Sequence, residues 1–472
     1  MASEPQLAGL TSYYNTVAPS SASANPISLQ ESGTVLQADM KNRAGEGLRG
    51  RTYFADLTAK DGIFYADPTI VANVTNSLST TLGALTSEGV SSAIEPRIPN
   101  GGFTLEKPSY GPVSHLINKI IDTAEPHIQQ SHLRGLRFHP FGFEVNELYG
   151  SRKRLKPDGV GIIGNLPERG GKDSAGAKKV ALSWEQVEVV FESKDSATHL
   201  VEQSATYARC CALGNPRRFF SIGIGFEFKK LEAYFFVFHR DGLLSSPPFV
   251  VTEADGFKGL VSHIVGILSL KDEAAFGLDT TRFEKWFYIN YQCFEIVRPI
   301  YIRGSLQGRS TTVFRLQGTY MRILNAGFNL FIAYSAVNST PRDMESRVLT
   351  LSRIDRLPDK ITYKQTYQIR GHSQEGPLFS QFTGRFGIAD VIGYHECGIE
   401  DPHGSTMRLM NGAEYWNVLG SQDKSRAPGD RGLHCIALSG GGRALVDLGD
   451  TDGGTPSPGD LLESILHAII GK

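Results

Sequence analysis

Two short stretches carry residue types suited to a divalent cation and a phosphate: Lys156-Pro157-Asp158 and Val189-Val190-Phe191-Glu192-Ser193-Lys194. Side chains alternate along a strand, so Glu192 and Lys194 share one face. Two carboxylates at neighbouring strand ends can hold a divalent cation by oxygen ligands. A lysine beside them can orient a water or offset the charge that develops on a phosphate under attack. Together these are the requirements of metal-dependent phosphodiester hydrolysis. Downstream, Gln203 and Tyr207 stand four residues apart and so fall on one face of a predicted helix.

Each piece taken alone has a plainer explanation. An exposed Glu–Lys pair contributes under about 1 kcal/mol, and Gln with Tyr on a helix is ordinary boundary packing. The acid-x-Lys pattern also occurs at Asp39-Met-Lys41 and Glu227-Phe-Lys229, and a second Pro-Asp stands at Pro358-Asp359. Only the set from 157 to 207 has the pieces in order on suitable elements.

Those elements follow from the hydrophobic pattern. Val113 to Ala124 carries apolar residues at helical spacing. Strand-like runs follow at Leu136 to Val145, Arg154 to Gly164 and Glu185 to Ser193. A helix over Thr198 to Leu213 is ended by Gly214-Asn215-Pro216, and strands at Arg218 to Phe228 and Leu231 to Phe238 come next. A helix over Phe257 to Leu268 closes this domain, expected over residues 111–283. Residues 1–110, rich in Ser, Thr, Ala, Asn and Gly, read as a variable helical or partly disordered leader, with weak helical patches at Leu36 to Asn42 and Asp67 to Leu85. Residues 284–472 read as successive strands at Tyr288 to Glu295, Ile300 to Gly304, Thr311 to Leu316, Phe328 to Val337, Gln365 to Gln368, Leu433 to Ser439 and Ala444 to Leu448. Helices are expected at Arg342 to Arg353 and Pro458 to Ile470, with an irregular insertion over about 371–430.

The fold class is therefore α/β or α+β, in a chain of 472 residues, long enough for two or three domains at about 150 residues each. Lys+Arg 48 against Asp+Glu 49 excludes binding through bulk charge, so any nucleic-acid contact must be local. Five scattered cysteines without a C-x-x-C pair suit reduced thiols rather than a disulfide framework or a zinc ribbon. The N-terminus lacks the pattern of a signal peptide and no run approaches a membrane span, so an intracellular protein with no membrane partner is expected. The basic run Arg152-Lys153-Arg154-Leu155-Lys156 reads as a nuclear import signal, a phosphate-facing edge or a charged rim ahead of a buried strand. His127, His132 and His139 lack zinc-ligand spacing, and Ser439-Gly440-Gly441-Gly442 lacks the Gly-Lys-Ser/Thr of a phosphate loop.

The order helix, three strands, helix, strand with the motifs at 157–207 resembles the PD-(D/E)XK nuclease superfamily. That resemblance implies a restriction-endonuclease-like domain with Asp158 and Glu192 as ligands of Mg2+ or Mn2+, Lys194 as the catalytic lysine, and Gln203 and Tyr207 as supporting contacts to substrate or water. It also implies DNA or RNA as partner and an upstream acid as a further ligand, for which Glu125 is a weak match.

A second resemblance covers about 135–472. Tyr207-Ala208-Arg209, Arg217-Arg218-Phe219, Phe238-His239-Arg240-Asp241-Gly242 and Gly277-Leu278-Asp279-Thr280-Thr281 are similar to the N-terminal half of the fungal-type protein kinase family. By that resemblance a kinase-like N-lobe follows, with Gly308, Arg309 and Thr312 in its glycine-rich turn and Glu345 as its helix acid. Ser310 replaces a glycine of that turn, no lysine lies within Phe331 to Ser335, and the catalytic-loop Asp, Asn and Asp-Phe-Gly would fall beyond Lys472. His239-Arg240-Asp241 follows a strand and reads as a strand-end turn rather than a catalytic loop. The expectation is a metal-dependent nuclease, a hydrolase, fused to a truncated and inactive kinase-like N-lobe. The alternatives are a catalytically silent interaction protein or pseudokinase fragment that meets a protein partner through that lobe, and an ATP-binding fungal-type protein kinase. Nuclease–kinase fusions of this kind imply an effector or a selfish element.

Overall fold

The computed structural model describes residues 48–82, 102–141, 148, 155–166, 168–172, 178–180 and 182–279, and beyond them 282–283, 286–289, 292–302, 311–318, 358–369, 375–381, 391–396, 413–420 and 431–439. The chain divides into two compact units: residues 1–279 with 304–310 and 399–431, and residues 280–303, 311–398 and 432–472.

In chain order the first unit contains β1 (Thr52–Phe54), α1 (Pro68–Leu82), α2 (Tyr110–Ala124), β2 (Leu136–His139), β3 (Gly159–Ile163), β4 (Glu168–Lys172), β5 (Lys178–Val180), β6 (Val189–Lys194), α3 (Ala197–Gly214), β7 (Phe220–Glu227), β8 (Glu232–His239), β9 (Gly242–Ser245), β10 (Phe249–Val250) and α4 (Ala254–Leu268). Then follow β11 (Arg282–Phe283), β12 (Trp286–Ile289), β13 (Gln292–Ile302), β14 (Thr312–Gly318), β15 (Lys360–Ile369), α5 (Glu375–Ser380), β16 (Val391–Glu396), β17 (Glu414–Tyr415) and β18 (Arg431–Ser439). This is a mixed α/β architecture.

The first unit is a sheet in the order β17-β1-β9-β8-β7-β6-β3-β2, with β10 also paired to β8. β6 and β7 run parallel and β1 and β9 run parallel, while β3 is antiparallel to both of its neighbours, β2 and β6. The parallel step needs a crossover, and α3 supplies it. The α3 helix begins where the Ser196 side chain accepts the His199 amide, and it stops at Gly214 before Asn215-Pro216. Period-two alternation sorts the strand side chains onto two faces. Phe191, Ile222, Ile224, Phe235 and Val237 pack with α1, α2 and α4, whereas Phe236 and Phe238 pack with Leu200, Val201, Ala205 and Ala208 of α3. Helices on both faces explain why β7 and β8 read as almost unbroken apolar runs.

Several details differ from the hydrophobic pattern. Residues 48–82 and 102–109 do not stand apart as a leader: Tyr53, Phe64, Val74 and Leu78 enter the main core, and β1 completes the sheet between β9 and β17. A three-residue strand is too short to show alternation; its partners select it. The patch at 36–42 lies outside the described residues. The run 154–164 is extended only from Gly159, so Lys156-Pro157-Asp158 forms the entry to β3 rather than part of it. The run 185–193 becomes a strand only at Val189, after a turn in which the Gln186 amide donates to the Ser183 carbonyl. Arg240 and Asp241 form the turn between β8 and β9, and Asp241 is ion-paired to Arg51 at 2.8 Å.

The second unit is a sheet in the order β11-β12-β13-β14-β15-β18-β16. Its core includes Phe287, Phe314 and Tyr363, with ring centroids 5.4 Å and 4.9 Å from Phe287. The expected single strand at 288–295 is the hairpin β12–β13, and the expected strand at 365–368 extends to the ten residues of β15. The irregular insertion contains α5, β16 and β17. The expected elements at 328–337, 342–353, 444–448 and 458–470 lie outside the described residues. Among the described residues, no helix is long and apolar enough to cross a membrane, and Cys210, Cys211, Cys293 and Cys435 form no disulfide.

Candidate functional site

The edge where β3 leaves its entry turn and β6 ends brings the predicted acids together. Asp158 immediately precedes β3, and Gly159 pairs with Phe191 of β6. A Cβ at Gly159 would meet Phe191 Cδ1 at 2.8 Å, so the missing side chain lets the two strands approach. Their backbones then clamp the acids reciprocally. The Ser193 amide donates to Asp158 Oδ2 at 2.9 Å, and the Asp158 amide donates to Glu192 Oε2 at 3.4 Å. Glu192 and Asp158 are both buried.

A third carboxylate reaches the same point. Glu106 lies just before a 3-10 turn at Lys107–Ser109 that runs into α2. One oxygen from each of Glu106, Asp158 and Glu192 falls within 4.8 Å of the others, and this is the one such ligand group among the described residues. Three hard anionic oxygen donors without sulfur or imidazole match Mg2+ or Mn2+ better than Zn2+. The side chains present therefore fit an ion of that class.

Lys194 sits among these acids. Its Nζ donates to Glu106 Oε1 at 2.7 Å, to Asp158 Oδ2 at 3.1 Å and to the Ser193 carbonyl at 2.9 Å, and it is ion-paired with Glu192. Burial by itself would lower the ammonium's pKa, but Glu192 and Asp158 hold it above its ordinary value. Burial raises the Asp158 carboxyl against the pull of Lys194. Burial and then repulsion from Asp158 raise Glu192 well above the usual range. The Tyr110 hydroxyl donates to Glu106 Oε1 at 2.6 Å, and burial followed by the nearby Asp158 pushes that phenol upward. Ser109 Oγ and Ser193 Oγ lie 2.7 Å apart, tying the start of α2 to β6.

Gln203 and Tyr207 take supporting positions one layer away. Gln203 Nε2 donates to the Tyr207 hydroxyl at 2.6 Å, and that hydroxyl donates to the Lys156 carbonyl at 2.8 Å. Tyr207 is buried and stacks on Trp184 with centroids 5.6 Å apart. The pair fixes the segment that delivers Asp158, and no hydrogen bond to a carboxylate of the cluster is formed by either side chain among the described contacts.

Glu125, the weakly matched upstream acid, lies elsewhere. Its carboxylate accepts from the Gly135 amide at 2.7 Å and pairs with Arg137 at 3.5 Å, which makes it part of the α2–β2 connection. The sequence pattern did not single out Glu106; the signal it offered was Pro108, suited to a first helical turn, and Tyr110 four residues after Glu106. His127, His132 and His139 do not converge: His132 packs on Phe276, and His139 Nε2 lies 3.2 Å from the Gly164 carbonyl. Of the kinase-like positions, Thr312 is buried at the start of β14 opposite Gln365, while Gly308, Arg309 and Glu345 lie outside the described residues. On β15, Lys364 is ion-paired with Glu375 of α5, a pair that the sequence pattern did not single out.

The family model described as fungal protein kinase matches residues 168–471, more than half of the chain. That match includes Glu192, Lys194, Gln203 and Tyr207 and starts after Glu106 and Asp158. No curated protein and no solved structure matches the chain.

Proposed function

The chain belongs to the fungal protein kinase family, and we propose that its first unit is a PD-(D/E)XK-like, metal-dependent nuclease hydrolysing the phosphodiesters of DNA or RNA. The observation that carries this reading is the meeting of Glu106, Asp158 and Glu192 around Lys194. The order α2, β2, β3, β6, α3, β7 with parallel β6 and β7 supports the same fold assignment.

In this reading Glu106, Asp158 and Glu192 hold Mg2+ or Mn2+. The bound ion would supply positive charge to the phosphate and a water acidified toward neutral pH. Lys194, on the same strand face as Glu192, neutralises charge on the attacked phosphate and orients the water. Gln203 and Tyr207 hold the Lys156 carbonyl and hence the turn bearing Asp158. Cleavage of plasmid, linear and single-stranded DNA and of RNA with Mg2+ or Mn2+ tests it. Metal-dependent cutting lost in Glu192→Gln and in Lys194→Ala is the expected result; no cutting, or cutting unchanged in both variants, overturns it.

The family match supports a second reading, in which the second unit is a kinase-like module that binds ATP or survives as an interaction scaffold meeting a protein partner. Within it, the Lys364–Glu375 pair has the composition that positions nucleotide phosphates in phosphoryl transfer. Stabilisation of the full chain by Mg-ATP, abolished in Lys364→Met, would favour ATP binding. Stabilisation that is absent, or equal in both proteins, would count against it.

A further inference from the structure

The ammonium of Lys194 stands among the three carboxylates, at a position a bridging cation would take on the same oxygens. Its Nζ contacts Glu106 Oε1, Asp158 Oδ2 and Glu192 Oε1 at once, and the Ser193 carbonyl provides a fourth acceptor. An ammonium has only three protons to donate, so the group is saturated by its own site. Mg2+ binds carboxylate oxygen at about 2.0–2.1 Å. An ion at that distance from the same three oxygens would overlap a nitrogen lying 2.7 Å and 3.1 Å from two of them. On the ammonium's side of these oxygens, ion and Nζ compete for the same place.

Resting on the ion-site reading above, we infer that Lys194 is the built-in counterion of these three carboxylates and that a divalent cation enters by displacing it. The exchange trades one ammonium for one divalent ion at a fixed set of oxygens, with no bond made or broken in the chain. It gives the lysine two positions. Without the ion, Nζ holds the three carboxyl groups together at the end of β6. With the ion, the flexible four-carbon stem swings Nζ outward, toward the surface where a phosphate would approach. Lys194 is 18% exposed as a side chain, so a short movement reaches solvent. The lysine thereby lowers the affinity for the ion it later assists, and the site loads only where divalent cation is plentiful.

The test uses the full chain and Ca2+ as the probe, with Mn2+ as a second ion. Reductive dimethylation followed by mass spectrometry reads the accessibility of Lys194 in the wild type. Labelling is expected to rise severalfold when Ca2+ saturates the site, while Lys229 and Lys230, already exposed, stay constant as internal references. Calorimetry is expected to show Ca2+ bound about tenfold more tightly by Lys194→Met, whose stem is kept and whose charge is gone. Labelling is decisive, because removal of any nearby positive charge would tighten cation binding, and it needs no variant that must fold. If wild type binds Ca2+ with Glu192→Gln abolishing it, and Lys194 labelling is unchanged, the displacement is overturned and the ion site stands. If neither wild type nor Lys194→Met binds Ca2+ or Mn2+, both fall.

Discussion

The hydroxyl of Tyr207 donates to the carbonyl of Lys156 at 2.8 Å, across 51 residues of sequence, and so joins the middle of α3 to the turn that presents Asp158. The same hydroxyl accepts from Gln203, which leaves Tyr207 with no spare proton for a substrate. Its role is to hold position. Tyr207→Phe keeps the ring that stacks on Trp184 and removes the hydroxyl's hydrogen bonds to Gln203 and to the Lys156 carbonyl, at a stability cost of about 1–3 kcal/mol. Cleavage by this folded variant is expected to fall about tenfold, in the range of outer-layer losses at metal sites, with ion affinity falling alongside. Urea unfolding and Ca2+ calorimetry on the purified variant check both; a stability loss with unchanged ion affinity would make Tyr207 purely structural.

Glu106 and Glu125 offer a direct comparison. Glu106→Gln keeps the side chain's length and removes one of three converging charges, and is expected to weaken Ca2+ binding by on the order of 100-fold. Among the described residues the Glu125 carboxylate meets Gly135 and Arg137, and Glu125→Gln is expected to leave ion affinity unchanged and to cost under about 1 kcal/mol. Equal losses in the two variants would remove Glu106 from the ligand set.

Arg218 is a buried structural cation of the first unit. Its guanidinium donates to the Val187 carbonyl and to Glu188, each at 2.8 Å, and lies 5.3 Å from the centre of the Phe276 ring. Removing one partner of a buried pair leaves the other uncompensated, so Arg218→Ala is expected to cost about 3–5 kcal/mol. Val187 and Glu188 lead directly into β6, so the same variant should lose hydrogen-exchange protection along Val189–Lys194. Wild-type protection there would show that β6 holds without this anchor.

Two buried histidines make the first unit sensitive to acid. Burial, then Arg240 and Arg51, lowers His239 to about 3, and burial lowers His263 to about 4 against its hydrogen bond to the Gly259 carbonyl. Below the unfolded value of 6.5 the unfolded chain takes up protons that the folded chain refuses. Stability contributed by the neutral rings is therefore complete above that pH and is lost as pH falls toward the folded values, with a slope of about 1.4 kcal/mol per pH unit for each ring. His263 stacks on Phe235 at 4.6 Å and packs tilted against Phe249 at 4.8 Å, so His263→Phe keeps the packing. The thermal midpoint of this variant should fall less steeply than that of the wild type between pH 6 and about pH 4.5; parallel falls would exclude His263 as a source.

Much of the first unit was determined by local chemistry. Apolar residues at helical spacing, the long apolar strands that become β7 and β8, and the Gly214-Asn215-Pro216 stop are properties of neighbouring residues, and the α/β class follows from their order. The face shared by Glu192 and Lys194 is likewise a consequence of strand alternation. What only the tertiary structure decided depends on residues far apart in the chain. Thr52–Phe54 is a strand because β9 and β17 flank it, and no three-residue pattern encodes that. Glu106 joins Asp158 and Glu192 because the start of α2 is tied to β6 through Ser109 and Ser193, 84 residues apart. Tyr207 faces the Lys156 carbonyl rather than a substrate because α3 packs behind the turn that carries Asp158. Spacing along a chain states which side chains share a face; which faces meet is set by the packing of whole elements.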